Sequence, residues 1–201
     1  MGESVNPWVT RSPIEESPGQ NPTVEDDTPT TTGPQSPQGG IPLPSDADRL
    51  PRRRVSVTSG IWFLGVHGGA GETTLSGLVP GTRPAGHAWP ETAGSPGHAP
   101  ARVVLVARTH ASGLRSAQLA ATEWASGSVT GIELIGLALV ADAPGKLPRQ
   151  LKDTAKVIKG GVPRSWDVPW IEAWRLNEHV DVQRCPKPVR SMIADLGALS
   201  H

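Results

Sequence analysis

The chain has 201 residues, and its 19 basic side chains balance 19 acidic ones to a formal net charge of zero. This length predicts one ordinary domain with room for a tail. A single cysteine excludes an internal disulfide, and no apolar run is long enough for a transmembrane helix. Because the first residues also lack the basic and apolar blocks of a signal peptide, we expect a cytoplasmic protein without membrane contact.

The acidic charge is concentrated at the start of the chain. Residues 1–50 hold eight Asp or Glu and two Arg, a net charge of −6, which leaves +6 on the remaining 151 residues. This segment is rich in Pro, Ser and Thr and has almost no aliphatic periodicity. It cannot bury enough apolar surface to offset the entropy lost on ordering, so the composition predicts a disordered acidic tail over 1–50.

The next part of the chain, 55–178, alternates apolar strand patterns with helical ones. Strands are predicted over 55–66, 103–107, 132–140 and 162–168. Helices are predicted from Thr109 or Ser112 to about Ser126, from Pro148 to Ile158, and after Pro169. The Pro- and Gly-rich stretch over 80–100 predicts a loop, and its His87 and His98 have no further ligand at metal-binding spacing. This alternation predicts an α/β domain with a mostly parallel sheet.

The last predicted unit, 179–201, carries a short amphipathic helix. Its apolar residues follow helical spacing at Val189, Met192, Ile193 and Leu196. Such a helix docks either on the domain or on a partner. Three tryptophans are spaced by four residues: Trp166, Trp170 and Trp174. They either pack in the core or form a surface that binds a partner.

A glycine-rich turn follows the first strand, and we call residues 65–74 the glycine loop. A strand, a glycine-rich turn and a helix start, in this order, are typical of a phosphate-binding loop. The usual motif is G-x-x-x-x-G-K-[ST]. Here Val66 occupies the first glycine position and Glu72 the lysine position.

The glycine loop resembles the deviant loop K-G-G-x-G-K-T-T of the MinD/ParA group of P-loop ATPases. Six of the eight positions agree, and both differences replace a lysine. With the segments after residue 100, the chain also resembles a small actinobacterial family of MinD/ParA-like proteins whose loop lacks lysine. The resemblance implies a P-loop NTPase-like three-layer fold. It also implies a candidate nucleotide-binding set: His67, Gly68, Gly69, Ala70, Gly71, Glu72, Thr73 and Thr74.

Further roles follow only from this resemblance. Thr73 would carry the magnesium-binding hydroxyl if Mg-nucleotide binds, and no other metal ligand is expected. Asp142, Ala143 and Pro144 would lie beside the base. An active ATPase of the group would also place two strands and a magnesium-supporting aspartate between the glycine loop and residue 100, where this sequence has no Asp.

Glu72 leaves three hypotheses open. As a first-turn residue, its negative charge would stabilise the helix by roughly 0.3–1 kcal/mol through the helix dipole. Alternatively, its carboxylate folds into the loop and occupies the phosphate position, or the loop keeps weak nucleotide binding. His67 would supply positive charge only if protonated. Because phosphoryl transfer depends on positive charge around the phosphates, we expect no useful hydrolysis.

A second candidate surface follows the predicted helix after Pro148. Its basic residues share one helical face or flank it: Lys146, Arg149, Lys152, Lys156, Lys159 and Arg164. Such a stripe binds nucleic acid without reading its sequence, or is a solvated helix face.

The leading interpretation is a degenerate MinD/ParA-like protein, without ATPase activity, that binds or regulates an unknown protein partner, in partition or maintenance of a chromosome or mobile element. No cofactor is expected. One alternative is a weak ATP-binding switch that uses ATP and Mg²⁺. Another is an accessory protein that binds DNA without sequence specificity.

Overall fold

A computed structural model of the protein describes residues 33–56, 59–92, 99–178 and 180–199. These residues form seven strands and five α-helices. The strands are β1 (Arg52–Val55), β2 (Ile61–Gly65), β3 (Thr82–Pro84), β4 (Trp89–Thr92), β5 (Ala101–Arg108), β6 (Ile132–Val140) and β7 (Ser165–Val168). The helices are α1 (Glu72–Ser76), α2 (Ala111–Ala125), α3 (Arg149–Gly160), α4 (Glu172–Arg175) and α5 (Lys187–Leu199).

The central sheet has five strands in the order β3-β2-β5-β6-β7, and each neighbouring pair is parallel. A second sheet pairs β1 with β4, also in parallel. The predicted α/β class and parallel sheet are therefore confirmed. Because parallel strands end at the same edge of a sheet, the segments after β2, β5, β6 and β7 meet there.

Helices cover both faces of the central sheet. Successive side chains of a strand point to opposite faces, so Trp62 and Leu64 join one apolar cluster while Ile61 and Phe63 join another. The first cluster contains apolar residues of α2 and α3, and the second contains those of α1 and α5. Burial on both faces explains why β2, β5 and β6 are nearly continuous apolar runs.

The prediction of a loop over 80–100 was wrong for residues 82–84 and 89–92, which are short strands. Residues 82–84 pair with β2 as the edge strand β3, and residues 89–92 pair with β1. Proline cannot donate to a ladder, but it is tolerated in short edge strands, which is where Pro84 and Pro90 lie. Residues 93–98, which include His98, lie outside the described residues.

The predicted disordered tail over 1–50 overlaps the folded part of the chain. Residues 1–32 lie outside the described residues, but residues 33–50 contact the domain. The Gln38 amide donates to the Ala125 carbonyl over 2.9 Å, and the Leu50 amide donates to Oε2 of Glu123 over 3.1 Å. Backbone contacts of this kind require no apolar periodicity in the sequence. Because residues 33–50 already contact the domain, the boundary predicted at residue 50 is too late.

The short amphipathic helix predicted within 179–201 is present as α5 and packs on the domain itself. Val189, Met192 and Leu196 are fully buried in the second apolar cluster. Trp166 Nε1 also donates to Oδ2 of Asp195 over 2.8 Å. The helix predicted after Pro169 is shorter than expected, since α4 begins only at Glu172.

Candidate functional site

The glycine loop joins the carboxyl end of β2 to α1. Gly69 and Gly71 have φ of 73° and 103°, values that favour glycine. Gly68 and Gly69 are exposed, whereas Ala70 is buried against the second cluster. The candidate residues Thr73 and Thr74 are exposed in α1. The loop therefore presents open backbone to the strand-end edge of the sheet.

Glu72 turns back beneath this loop. Its carboxylate Oε2 accepts a hydrogen bond from the Gly65 amide at the end of β2, and the residue is 8% exposed. His87 contacts the same residue, with its Nδ1 2.6 Å from the Gly65 carbonyl oxygen. His87 Nε2 lies 4.0 Å from Oε1 of Glu72. These contacts bond the Glu72 carboxylate to the last residue of β2, so Glu72 holds the end of this strand against the start of α1.

His67, at the position of the signature lysine, is held as a neutral imidazole. Its Nε2 accepts the Arg108 amide hydrogen over 3.0 Å, so the ring proton lies on Nδ1, 2.9 Å from the Gly68 carbonyl. Burial is the main cause that lowers the pKa of His67 below 6.5, although the Gly68 carbonyl opposes it; His110, His87 and Arg108 lower it further. His67 therefore brings no positive charge to the loop near neutral pH.

The lowered pKa of His67 predicts how the free energy of unfolding changes with pH. Because the folded state disfavours the protonated ring, the contribution of His67 is fully present above the unfolded pKa of 6.5. It is lost as the pH falls from there through the lower folded pKa. The free energy of unfolding, measured by urea titration between about pH 5 and pH 7.5, should therefore fall less on acidification in His67→Gln than in the wild type. Equal pH slopes would contradict this assignment.

Two arginines that sequence reasoning missed lie beside the glycine loop. Arg108 ends β5, and its side chain donates from Nε to the Gly69 carbonyl over 3.2 Å and from Nη1 to the Ala141 carbonyl over 2.9 Å. Arg175 ends α4 and is exposed. Both line a cavity of about 220 Å³. The residues that share it are Gly68, Gly69, His110, Val140, Ala141, Asp142, Pro169, Trp170, Ile171 and Trp174.

The candidate base-side residues line a second cavity next to the first. This cavity has about 450 Å³ and lies where β6 and β7 end, against the starts of α2, α3 and α5. Asp142 lines both cavities, and its amide donates to Oγ1 of Thr109 over 3.1 Å. Of these two cavities, Ala143 and Pro144 line only the larger. The structure thus brings Asp142 to the glycine loop and places the other two residues farther along the same edge.

The comparisons with known proteins identify one family. A family of unknown function, DUF6668, matches residues 59–193, about two thirds of the chain. The chain belongs to this family. No curated protein and no solved structure matches it. The range matched by DUF6668 begins just before β2 and ends within α5, so it contains the glycine loop, both arginines and both cavities.

The DUF6668 range also contains the candidate basic surface. Lys146, Arg149, Lys152 and Lys156 are exposed, whereas Arg164 is half-buried. Acidic side chains offset part of this surface. Nζ of Lys159 lies 2.5 Å from Oδ2 of Asp167, and Nε of Arg149 lies 3.9 Å from Oδ2 of Asp153. The six side chains therefore do not form one uniform cationic face.

The described residues offer neither a metal-binding cluster nor a membrane-spanning helix. Within the described ranges, no group of three or more His, Cys, Asp or Glu side chains is placed to hold a metal ion. In the same part of the chain, no helix is both long and apolar enough to cross a bilayer. Thr73, the candidate magnesium ligand, stands in α1 as an exposed hydroxyl.

Proposed function

We propose that this protein is a degenerate MinD/ParA-like P-loop protein that acts as a binding or regulatory component and does not hydrolyse ATP. A role in partition or maintenance of a chromosome or mobile element belongs to this proposal. One observation carries it: Glu72 occupies the lysine position, and its buried carboxylate is bonded to the Gly65 amide. The parallel sheet with the glycine loop at its carboxyl edge supports a P-loop-like three-layer fold.

The charges around the glycine loop also disfavour phosphoryl transfer. Glu72 would repel a triphosphate, and His67 is neutral with its pKa lowered. Removing one transition-state donor typically costs roughly 10²–10³ in rate, and both lysines of the resembled motif are replaced. The cavity beside the loop, about 220 Å³, is also smaller than the roughly 300–1,000 Å³ typical of ligand pockets. Binding of a partner, without hydrolysis of ATP, is therefore the function that this site supports best.

Thermal unfolding with and without ATP and Mg²⁺ tests this proposal. We expect no phosphate release by the wild type, and no shift in its midpoint beyond the shift that inorganic phosphate gives at the same concentration. A nucleotide at a hundredfold excess over its Kd would stabilise the protein by about 2.7 kcal/mol, so binding would be visible. Glu72→Lys restores the motif lysine, while Glu72→Gln removes the charge and keeps an acceptor for the Gly65 amide.

The two variants separate the causes of lost nucleotide binding. A shift in Glu72→Lys alone would mean that an intact loop lacks only its lysine. A shift in both would mean that charge repulsion excludes the nucleotide. A shift in the wild type larger than the one inorganic phosphate gives would contradict the proposal and favour the weak ATP-binding switch, to which Arg108 and Arg175 would supply positive charge. Salt-sensitive binding to arbitrary DNA would instead favour the accessory protein that uses the exposed lysines of α3.

A further inference from the structure

We propose that Arg108 and Arg175 form a binding site for a phosphate group, in the cavity of about 220 Å³ where β5 and β6 end. This site goes beyond the proposed function, because it uses two side chains outside the glycine loop and needs no nucleotide. Arginine presents a planar fork of donors that matches the oxygens of phosphate. Two such forks on one small cavity are the feature that carries the inference.

Arg108 is held in place before any ligand arrives. Its backbone amide is bonded to His67, and its side chain is bonded to the Gly69 and Ala141 carbonyls. A guanidinium has five N–H donors, and these two side-chain bonds use two of them. The remaining donors are available on a side chain whose orientation is fixed, which lowers the entropy lost when a ligand binds.

Arg175 adds a second positive charge from a different element. It lies on α4, and its charge is one of the causes that lower the pKa of Arg108, after burial, which is the largest. Among the described residues, neither guanidinium lies within 4.0 Å of a carboxylate oxygen. An anion bound between two cations reduces the repulsion between them.

The other charged groups around the cavity set its net sign. Asp142 is the carboxylate that lines it, and this residue opposes the lowering of the Arg108 pKa. His110 also lines the cavity, and its Nδ1 accepts the Gly113 amide hydrogen over 2.9 Å, so it caps α2. Two guanidinium charges therefore face one carboxylate. The net charge favours an anion, and Asp142 weakens its binding.

The experiment titrates the full chain with inorganic phosphate and follows tryptophan fluorescence, because Trp170 and Trp174 line the cavity. Arg175→Gln should weaken binding about tenfold or more, since hydrogen bonds to charged groups are the strong ones. Asp142→Asn should tighten binding several-fold by removing repulsion. Lys156→Gln makes the same change in net charge as Arg175→Gln at an exposed position that lines neither cavity, and should leave binding unchanged.

The outcomes are distinct from those of the ATP test. The proposal is overturned if phosphate does not bind the wild type, or if Arg175→Gln and Lys156→Gln weaken binding equally; neither result bears on hydrolysis at the glycine loop. Phenyl phosphate distinguishes the source of the phosphate group. Tighter binding of phenyl phosphate than of inorganic phosphate supports a phosphomonoester whose ring reaches the apolar cavity of about 450 Å³. Equal binding supports the free ion.

Discussion

Replacing Leu196 with alanine should lower the free energy of unfolding by about 2–5 kcal/mol. Leu196 is fully buried in the cluster formed by α5 and the central sheet, where it packs with Val189 and Met192. Truncation removes the transfer free energy of the lost methyl groups and leaves a cavity that the sheet cannot fill. Equilibrium unfolding in urea, followed by circular dichroism, measures the change.

Leu176→Ala is the matched control for this prediction. Leu176 follows α4 and is 61% exposed, so the same truncation there should change the free energy of unfolding by less than about 0.5 kcal/mol. Equal effects of the two substitutions would contradict the packing of α5 on the domain. In that case α5 would be free to dock on a partner, which is the alternative that the sequence pattern left open.

The buried strands are the part of the fold that sequence patterns predict best. Residues 103–107 lie within β5, and 132–140 coincide with β6, because a strand covered on both faces needs a continuous apolar run. Short edge strands carry no such requirement. β3 has three residues and pairs with one strand, and the Pro and Gly residues around it therefore predicted a loop.

The contacts of residues 33–50 could not be predicted for a different reason. A Cβ at Gly33 would lie 2.5 Å from the Gly160 carbonyl oxygen, so this segment runs directly against the end of α3. Such packing depends on residues more than a hundred positions away. Composition alone measures only how little apolar surface the segment can bury, and it therefore predicted a longer disordered tail.

The candidate site shows the same division between local and distant information. The glycine loop is a local pattern, and its sequence predicted its place between a strand and the start of a helix. Arg108 and Arg175 share a cavity only because β5 and α4 end at one edge of the sheet. The position of Arg108 directly after an apolar strand was a signal, since residues there face the ligand edge of parallel sheets. No local pattern marks Arg175.

Gly113→Ala should destabilise the protein by about 1–3 kcal/mol, the range typical of overpacking. Gly113 is buried in the first turn of α2, where alanine is otherwise the better helix former. A Cβ at this position would overlap the Arg108 carbonyl oxygen and lie 2.9 Å from Nε2 of His67. Because a backbone carbonyl cannot move cheaply, the clash should also disturb the bond between His67 and the Arg108 amide.

Gly160→Ala makes the same substitution in another helix and serves as the control. No described atom outside the local helix lies within 4 Å of a Cβ at Gly160, so this change should be neutral or stabilise by up to about 1 kcal/mol. Urea unfolding compares the two variants, and phosphate titration of Gly113→Ala gives a second measurement. Stability equal to that of Gly160→Ala would mean that Gly113 does not need its close approach to Arg108. Reduced stability with weaker phosphate binding would link this glycine to the orientation of Arg108.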